Sequence, residues 1–336
     1  MSILVTRASG FIGFHVCNRL LKEGRQVIGV DSMNDYYDVK LKRARLAMLQ
    51  DQERFTFRQF DLSDPESVHT LYDLGIRSIV HLAAQAGVRH SIENPSAYHQ
   101  ANQVSTLEIL ELARHTEVDH MVFASSSSVY GSNENIPFST ADPVDTPISF
   151  YAASKRTGEL LAHSYAHMYR FPVTAVRFFT VYGPWGRPDM ALWKFAEAIQ
   201  SGETIDLYNH GHHRRDFTYI DDIVEGVIKV HDHPAQPNPE FNPANPYPDQ
   251  SNAPFTIYNI GNDVSVDLVR YVDLIEAELG KTAKRNLLPL QPGDIEESLA
   301  DVEPMRRDFG WIPKVSVEEG VPRFIEWFKM WAARES

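Results

Sequence analysis

The sequence has little cysteine, no long apolar run and no excess of positive charge, and each shortage excludes a class of protein. Its single cysteine, Cys17, lies in an apolar helical pattern, so the 336-residue chain contains no disulfide scaffold. No apolar run reaches the roughly 18 residues of a membrane span, and residues 1–6 predict a strand rather than a signal sequence. The net charge of −13 argues against nucleic acid or an anionic membrane as partner. We therefore expect a cytoplasmic enzyme.

The chain begins with the order strand, glycine turn, helix, strand, acidic residue. Two apolar runs, residues 2–6 and 26–30, flank an amphipathic helical pattern over 11–22, and Asp31 closes the second run. This order predicts a βαβ unit that places a dinucleotide pyrophosphate on a helix N-terminus, and it argues against a plain βα turn with incidental glycines. The residues expected at the pyrophosphate are Gly10, Phe11, Ile12 and Gly13.

Asp31 indicates which dinucleotide binds. A carboxylate at this position accepts hydrogen bonds from the adenosine ribose hydroxyls and repels a 2′-phosphate. The sequence therefore favours NAD over NADP as cofactor. Further cofactor-binding residues are expected at the ends of the next strands: Asp61, Leu62, Leu82, Ala83 and Ala84.

Strand and helix patterns continue to alternate, which predicts an α/β fold with a Rossmann-type doubly wound parallel sheet and a smaller α/β C-terminal substrate domain. Further strands are predicted at 55–60, 78–82, 121–125, 173–178 and 255–260, and helices at 40–49, 65–74, 94–115, 191–201, 222–231, 265–280 and 317–331. Residues 210–215 predict a basic loop, 233–253 a long proline-rich loop, 287–294 a strand and loop, and 304–307 the start of a short helix. We expect the cofactor domain to cover 1–180, with 215–232 and 254–264 returning to it. The substrate domain then comprises 181–214 and 265–336.

A serine run, residues 125–128, ends the predicted fifth strand, and Tyr151 and Lys155 follow about twenty residues later. On a helix, residues four apart share one face. A neighbouring ammonium favours the phenolate form of a tyrosine, which can then act as a general base. The alternative is an exposed helix with an incidental Tyr and Lys, since this spacing alone arises often by chance.

Longer motifs make the chain resemble the extended short-chain dehydrogenase/reductases, in the nucleotide-sugar epimerase and dehydratase group, over essentially its whole length. Within the group it resembles the UDP-glucuronate 4-epimerases most. The stretches that carry the resemblance are 35–38, 86–89, 125–131, 151–155, 177–190, 208–211, 215–222 and 291–294. The resemblance implies NAD, a UDP-sugar substrate, and a homodimer through the helices that follow Pro95 and contain Tyr151. Ordinary burial of those helices in the core is the alternative, because both carry apolar residues on more than one face.

The chain departs from the family at one position. The family has glycine where this chain has Arg7, in Thr6-Arg7-Ala8-Ser9-Gly10. If position 7 needs a positive φ, a non-glycine residue costs on the order of 1 kcal/mol or more. We expect the side chain to leave the cofactor space, either toward solvent or along a phosphate, and NAD binding to be weakened or altered.

The serine run distinguishes between the reactions of the group. Related dehydratases and decarboxylases carry a carboxylate before the Val-Tyr-Gly motif, whereas this chain has Ser126, Ser127 and Ser128 there. The resemblance therefore implies oxidation and reduction at C4 alone, which is epimerisation. Tyr151, activated by Lys155 and the oxidised nicotinamide, takes the C4 hydroxyl proton. Ser126 holds the C4 oxygen, and the other two serines steady the sugar.

The resemblance also places residues at the substrate. Arg215 is expected at the UDP diphosphate and Asp294 at the uridine ribose, although either can be a surface residue or salt-bridge partner instead. Thr180 and Arg187 are expected at the sugar carboxylate, because an anionic group needs a paired cation. A 4-keto uronate loses CO2 when the bond to its carboxylate stands perpendicular to the ketone plane. Holding the carboxylate in another orientation therefore also suppresses this loss. Arg89 and Gln291 complete the predicted substrate site.

No metal site is expected. His210, His212 and His213 lie close in sequence, but no cysteine or carboxylate at ligand spacing accompanies them. Two other functions stay open: a 4-epimerase of a neutral UDP-hexose or UDP-N-acetylhexosamine, and a catalytically silent nucleotide-sugar binder in which Arg7 weakens cofactor binding.

Overall fold

The computed structural model describes residues 2–291 and 293–335, and its strands and helices alternate along most of the chain. The strands are β1 (Ser2–Thr6), β2 (Gln26–Asp31), β3 (Phe55–Gln59), β4 (Ile76–His81), β5 (His120–Ser126), β6 (Val173–Phe178), β7 (Thr180–Tyr182), β8 (Thr204–Leu207), β9 (Arg214–Tyr219), β10 (Phe255–Ile260), β11 (Ser265–Asp267) and β12 (Lys284–Leu287). The helices are α1 (Phe11–Lys22), α2 (Val39–Gln50), α3 (Pro65–His69), α4 (Val88–Glu93), α5 (Pro95–Tyr98), α6 (Ser105–His115), α7 (Phe150–Tyr169), α8 (Ala191–Ser201), α9 (Ile220–His231), α10 (Leu268–Leu279), α11 (Glu303–Phe309) and α12 (Val317–Glu335).

Seven strands form one parallel sheet in the order β3-β2-β1-β4-β5-β6-β10, which confirms the predicted doubly wound sheet. The chain runs outward from β1 to β3 and then returns to β4 on the other side of β1, so the strand order reverses between β1 and β4. Open α/β sheets bind ligands beyond the carboxyl ends of their strands at such a reversal. This crevice is therefore the expected position of a cofactor.

Both faces of the sheet are buried. Along β1 every residue is buried, with Ile3 and Val5 in one apolar cluster and Leu4 in the other, as the alternation of a strand requires. The first face is covered by α1 and α9, which pack against each other, and the second by α6 and α7. Burial on both faces explains why these strands are continuous apolar runs in the sequence.

The second half of the chain adds two small sheets. One has the order β11-β9-β7, and the other pairs β12 with β8 in parallel. Between β9 and β11 the chain returns to the large sheet. There β10, which follows the proline-rich loop 233–253, pairs with β6 at the edge. The division of the chain into two domains stays a prediction.

Several predicted elements have different bounds because tertiary hydrogen bonds override the local pattern. The helix predicted over 65–74 ends at His69, since Thr70 Oγ1 bonds the Ser67 carbonyl and the chain continues in tighter turns toward Gly75 (φ 65°). The helix predicted from residue 265 begins at Leu268, because Ser265–Asp267 pairs with β9. Arg214 and Arg215, predicted in a loop, are the first two residues of β9. The strand predicted over 287–294 is instead Lys284–Leu287, paired with β8.

The long helix predicted over 94–115 is interrupted by a π-helical turn at His99–Val104, which separates α5 from α6. Such a turn inserts an extra residue and often marks a functional site. Here it directs the buried Asn102 side chain toward the end of β4.

Candidate active site

The predicted catalytic residues lie where β5 ends and α7 begins. Ser126 is the last residue of β5 and is 8% exposed. Ser149 caps α7 by accepting a hydrogen bond from the Ala152 N–H (3.1 Å), which fixes the first turn that carries Tyr151. Lys155 follows one turn later on the same helix face as Tyr151. The structure therefore places the tyrosine, the lysine and the serine run on two elements that pack together.

Lys155 is anchored to the strand. Its Nζ donates to the Ala124 carbonyl at 2.8 Å, and the side chain is buried over the Phe123 ring. Burial, followed by the positive charge of Arg7, lowers the pKa of Lys155 to about 7. An amine with this pKa can gain or lose charge near neutral pH, as an acid/base site requires.

A buried ion pair lies directly behind the serine run, and the sequence analysis did not identify it. Arg177 Nε and Nη2 donate to the two oxygens of Glu159 at 2.9 and 3.0 Å, and both side chains are fully buried. Ser125 Oγ donates to the same carboxylate at 2.6 Å. Burial alone would raise the pKa of Glu159, but Arg177 holds it below the usual range. The pair thus connects β6, α7 and the end of β5.

Asn102 is a second residue that the sequence did not reveal. Its side chain accepts from the Gln85 N–H (2.6 Å) and donates to the Gln85 carbonyl (3.0 Å) and to Ser154 Oγ (2.8 Å). Ser154 Oγ in turn donates to the Tyr151 carbonyl. One buried amide thereby joins the chain beyond β4 to the first turn of α7. An asparagine in an otherwise helical stretch was the available signal.

The glycine turn between β1 and α1 has the form that a dinucleotide requires. Gly10 precedes α1, and no side chain caps the first N–H groups of the helix. A Cβ at Gly13 would overlap with the Arg7 carbonyl oxygen, so this position accepts only glycine. An open helix N-terminus beside glycines binds phosphate groups. Of the two other residues predicted here, Phe11 is buried and Ile12 is half-buried.

A partly open pocket continues from this turn and brings together five of the predicted cofactor residues. These are Asp31, Asp61, Leu62, Ala83 and Ala84. Asp31 is held in place because its carboxylate accepts the N–H groups of Ser9 (3.1 Å) and Met33 (2.9 Å). Leu82, also predicted, is buried and does not line the pocket. The open helix N-terminus, the glycines and the carboxylate fit NAD, except at Arg7.

Arg7 adopts the positive φ (55°) that the glycine pattern predicts. Of the two positions expected for its side chain, the one in solvent is wrong, and the one along a phosphate stays a prediction. The side chain is half-buried, and its guanidinium donates to the Ala84 carbonyl across the groove.

The residues predicted at the nucleotide converge near residue 294. Arg89 Nη2 bonds Asp294 Oδ2 at 3.0 Å, and the Arg89 guanidinium lies 4.3 Å from the centre of the Tyr208 ring. Arg215 donates to the carbonyls of residues 295 and 296 at 2.7 and 2.9 Å. Gln291 accepts the Asp294 N–H and so lies at the same turn. The structure therefore forms one basic and aromatic cluster from α4, Tyr208, β9 and residues 291 and 293–296.

The residues predicted at the sugar carboxylate lie in β7 and the loop that follows it. Thr180 begins β7 and is half-buried. Arg187 already has an acidic partner, because its Nε bonds Asp189 Oδ1 at 3.0 Å and its Nη2 bonds Oδ2. The Tyr36 hydroxyl approaches the same carboxylate at 3.5 Å. Of the serines predicted here, Ser127 and Ser128 are half-buried.

Arg45, which the sequence analysis overlooked, ties the cofactor turn to this sugar loop. It is fully buried and donates to the Ser9 carbonyl (3.0 Å), the Tyr37 hydroxyl (2.8 Å) and the carbonyls of Trp185 and Gly186 (2.6 and 3.0 Å). The two halves of the candidate site are therefore joined by one side chain.

Among the described residues, no group of three or more histidine, cysteine, aspartate or glutamate side chains is arranged to hold a metal ion. None of the helices formed by residues 2–291 and 293–335 combines the length and apolar character needed to cross a membrane.

Comparisons with known proteins identify the family of the chain. The model of the NAD dependent epimerase/dehydratase family matches residues 3–261. The chain is 49% identical to "Protein CapI" of Staphylococcus aureus over 98% of both chains. It is 47% identical to a probable UDP-glucuronate 4-epimerase of Rhizobium meliloti, over 98% of this chain and 97% of the relative. The structure of UDP-glucuronic acid 4-epimerase from Bacillus cereus with UDP-glucuronic acid and NAD has a TM-score of 0.88 at 30% identity, covering 98% of this chain and all of that one.

The buried pair behind the serine run predicts a large effect on stability. Glu159→Gln leaves the Arg177 guanidinium buried without a carboxylate, which should lower the free energy of unfolding by about 3–5 kcal/mol. Urea unfolding followed by circular dichroism measures the change. Glu318→Gln is the matched control, because its pair with Arg270 is half exposed and should contribute less than about 1 kcal/mol. Equal losses in both variants would contradict the role given to the buried pair.

Proposed function

Because this chain belongs to the NAD dependent epimerase/dehydratase family, we propose that it is a UDP-glucuronate 4-epimerase, which interconverts UDP-glucuronate and UDP-galacturonate. The observation that carries the proposal is the junction of β5 and α7, where Tyr151 and Lys155 face a serine run that contains no carboxylate. The similarity to the Rhizobium meliloti and Bacillus cereus proteins supports the choice of substrate. We also infer that the enzyme works in the cytoplasm.

NAD is the cofactor, and when bound it takes the hydride from C4 of the sugar and later returns it. In the proposal its pyrophosphate lies on the first turn of α1 beside Gly10 and Gly13, and its adenosine ribose lies at Asp31. Both Asp31 oxygens already accept one N–H, and a carboxylate has room for further donors such as ribose hydroxyls.

Three residues at the β5–α7 junction would act on the C4 hydroxyl of the sugar. Tyr151 removes the C4 hydroxyl proton, and the ammonium of Lys155, one turn away, favours the phenolate that does so. In the proposal Ser126 donates a hydrogen bond to the C4 oxygen, which would replace the bond that its hydroxyl donates to Ser128 Oγ at 3.2 Å. The resulting 4-keto sugar rotates about its link to the diphosphate and presents its other face, so return of the hydride inverts C4.

The charge pattern around the sugar favours epimerisation over dehydration. Removing water at a neighbouring carbon needs a second acid/base group close to Tyr151. Glu159 is the carboxylate closest in sequence to the catalytic pair, but it is fully buried and bound by Arg177 and Ser125. Its pKa, held low by Arg177, keeps it charged and unable to supply a proton. Chemistry confined to C4 follows.

The nucleotide would bind at the cluster around residue 294. Arg215 supplies a guanidinium for the diphosphate, since arginine binds such groups in a bidentate manner. Asp294 supplies a carboxylate for the uridine ribose, and Arg89 and Gln291 flank it. In the substrate-binding state the Arg89–Asp294 pair, which is 3.0 Å in the structure, would share its charges with the nucleotide.

A second candidate function is 4-epimerisation of a neutral UDP-hexose or UDP-N-acetylhexosamine. One observation favours it: Asp189 already neutralises Arg187, the residue proposed for the sugar carboxylate. A uronate would have to compete with Asp189 for the guanidinium, whereas a neutral sugar would not.

Product analysis decides whether the enzyme has this activity. We expect the protein, supplied with NAD, to convert UDP-glucuronate to UDP-galacturonate faster than UDP-glucose to UDP-galactose, as measured by chromatography of the products. Tyr151→Phe should lower turnover by about 10²–10⁴-fold while UDP binding stays largely intact, because only the proton transfer is lost. Tyr169→Phe, on the exposed end of the same helix, is the control. Full activity in Tyr151→Phe would exclude the mechanism, and faster conversion of UDP-glucose would favour the second candidate.

The sugar carboxylate gives a separate test. Arg187→Ala removes the cation and leaves Asp189 near the sugar, so KM for UDP-glucuronate should rise at least about tenfold, the effect of one charged contact. KM for UDP-glucose should change far less, because that sugar carries no carboxylate. Steady-state kinetics on both substrates measures the difference, and equal effects on the two would contradict the assignment.

We propose a homodimer through α6 and α7. Both helices expose apolar side chains to solvent, among them Leu107 on α6 and Leu160 and Met168 on α7, which are 39%, 54% and 56% exposed.

A charge on this surface should break the dimer. Leu160→Glu should elute as a monomer in size-exclusion chromatography with light scattering, while the unchanged protein elutes as a dimer. Met330→Glu on α12, where the methionine is equally exposed at 56%, should leave the dimer intact. A dimer that survives Leu160→Glu would place the interface elsewhere.

A further inference from the structure

Arg7 spans the crevice in which a doubly wound sheet binds its ligand. The residue directly follows β1, and Ala84 follows β4 by three positions. These two strands are neighbours at the reversal of the strand order. The hydrogen bond from the Arg7 guanidinium to the Ala84 carbonyl therefore runs from one side of the crevice to the other.

The aliphatic part of the same side chain covers the N-terminus of α1. A Cβ built on Gly10 would lie 2.7 Å from Arg7 Cγ and 3.1 Å from Arg7 Cδ. The carbon chain is thus in contact with the backbone that begins α1, where the N–H groups have no side-chain cap. A dinucleotide pyrophosphate binds at this position. The Arg7–Ala84 contact and a bound dinucleotide consequently exclude each other.

The charge of Arg7 acts at both ends of the groove. It adds to burial in lowering the pKa of Lys155 to about 7, beside the proposed base. Burial, and to a smaller extent the charge of Arg7, also lowers the pKa of Lys42 to about 8, whereas Asp31 opposes this shift. Lys42 lines the pocket at the adenosine end. The guanidinium is therefore close enough to both lysines to affect their charge, and it lines the same pocket as Lys42.

We propose that Arg7 makes NAD an exchangeable cofactor in this chain, because the dinucleotide can enter only after the guanidinium has left the Ala84 carbonyl and the aliphatic part of the side chain has left the N-terminus of α1. This inference rests on the proposed NAD-dependent function. A hydrogen bond from a charged donor has to be broken on each binding event, which should weaken binding by about 10- to 100-fold relative to a chain without the side chain.

Three variants separate the side chain from the backbone. Arg7→Ala removes the guanidinium but keeps a Cβ at a φ of 55°, whereas Arg7→Gly also relieves the backbone strain. Arg54→Ala is the matched control, because Arg54 makes a similar contact, to the Gly24 carbonyl, on an exposed surface outside the groove. NAD per chain is measured in the purified proteins after denaturation, and the dissociation constant for added NAD by calorimetry.

We expect the unchanged protein and Arg54→Ala to purify with well under one NAD per chain. Arg7→Ala and Arg7→Gly should bind NAD at least tenfold more tightly and retain it through dialysis. Full retention of NAD by the unchanged protein would overturn the proposal. An improvement in Arg7→Gly but not in Arg7→Ala would also overturn it, because the backbone would then be responsible. These binding outcomes are distinct from failure of the proposed function, which would appear as no sugar conversion at saturating NAD.

Discussion

The hydrogen bond from Lys155 Nζ to the Ala124 carbonyl is the contact on which the candidate site depends. An ammonium that is 4% exposed and bonded to a neutral carbonyl keeps its charge at a cost, and this cost lowers its pKa to about 7. The same bond holds α7 against β5 at the level of Ser126. The bond therefore fixes the position of Lys155, while burial and the charge of Arg7 set its acidity. A change that moves α7 away from β5 would alter both.

Two buried polar groups keep this junction in place. The Glu159–Arg177 pair joins α7 to β6 one turn beyond Lys155, and Asn102 joins the first turn of α7 to the end of β4. Each uses most of its hydrogen-bonding capacity, which is the condition under which a buried polar network makes a site rigid. The exception is Arg177 Nη1, which has no hydrogen-bond partner among the described residues; the guanidinium lies over the face of Tyr130, 4.9 Å from the ring centre.

The sequence predicted the elements whose signal is local. The glycine turn and the seven parallel strands follow from periodicity, spacing and motif, and the structure has the strands within one or two residues. The helix carrying Tyr151, predicted without bounds, is Phe150–Tyr169. What it could not predict depends on partners distant in the chain. The π-helical turn contains Asn102, whose side chain bonds Gln85, and Ser265–Asp267 is a strand because β9 lies beside it. Arg45 looks like an ordinary helical surface residue until the fold brings the Trp185 loop over it.

Arg45 also explains how a non-glycine residue is accommodated at position 7. A left-handed φ at Arg7 costs about 1–2 kcal/mol, and the turn it belongs to has to be held by other contacts. Arg45 supplies one by donating to the Ser9 carbonyl from a buried position, and Asp31 supplies another by accepting the Ser9 N–H. Both neighbours are charged, so each bond is stronger than a neutral one. Because Arg45 also holds the Trp185 carbonyl, the geometry of the cofactor turn and that of the loop leading to Arg187 are set together.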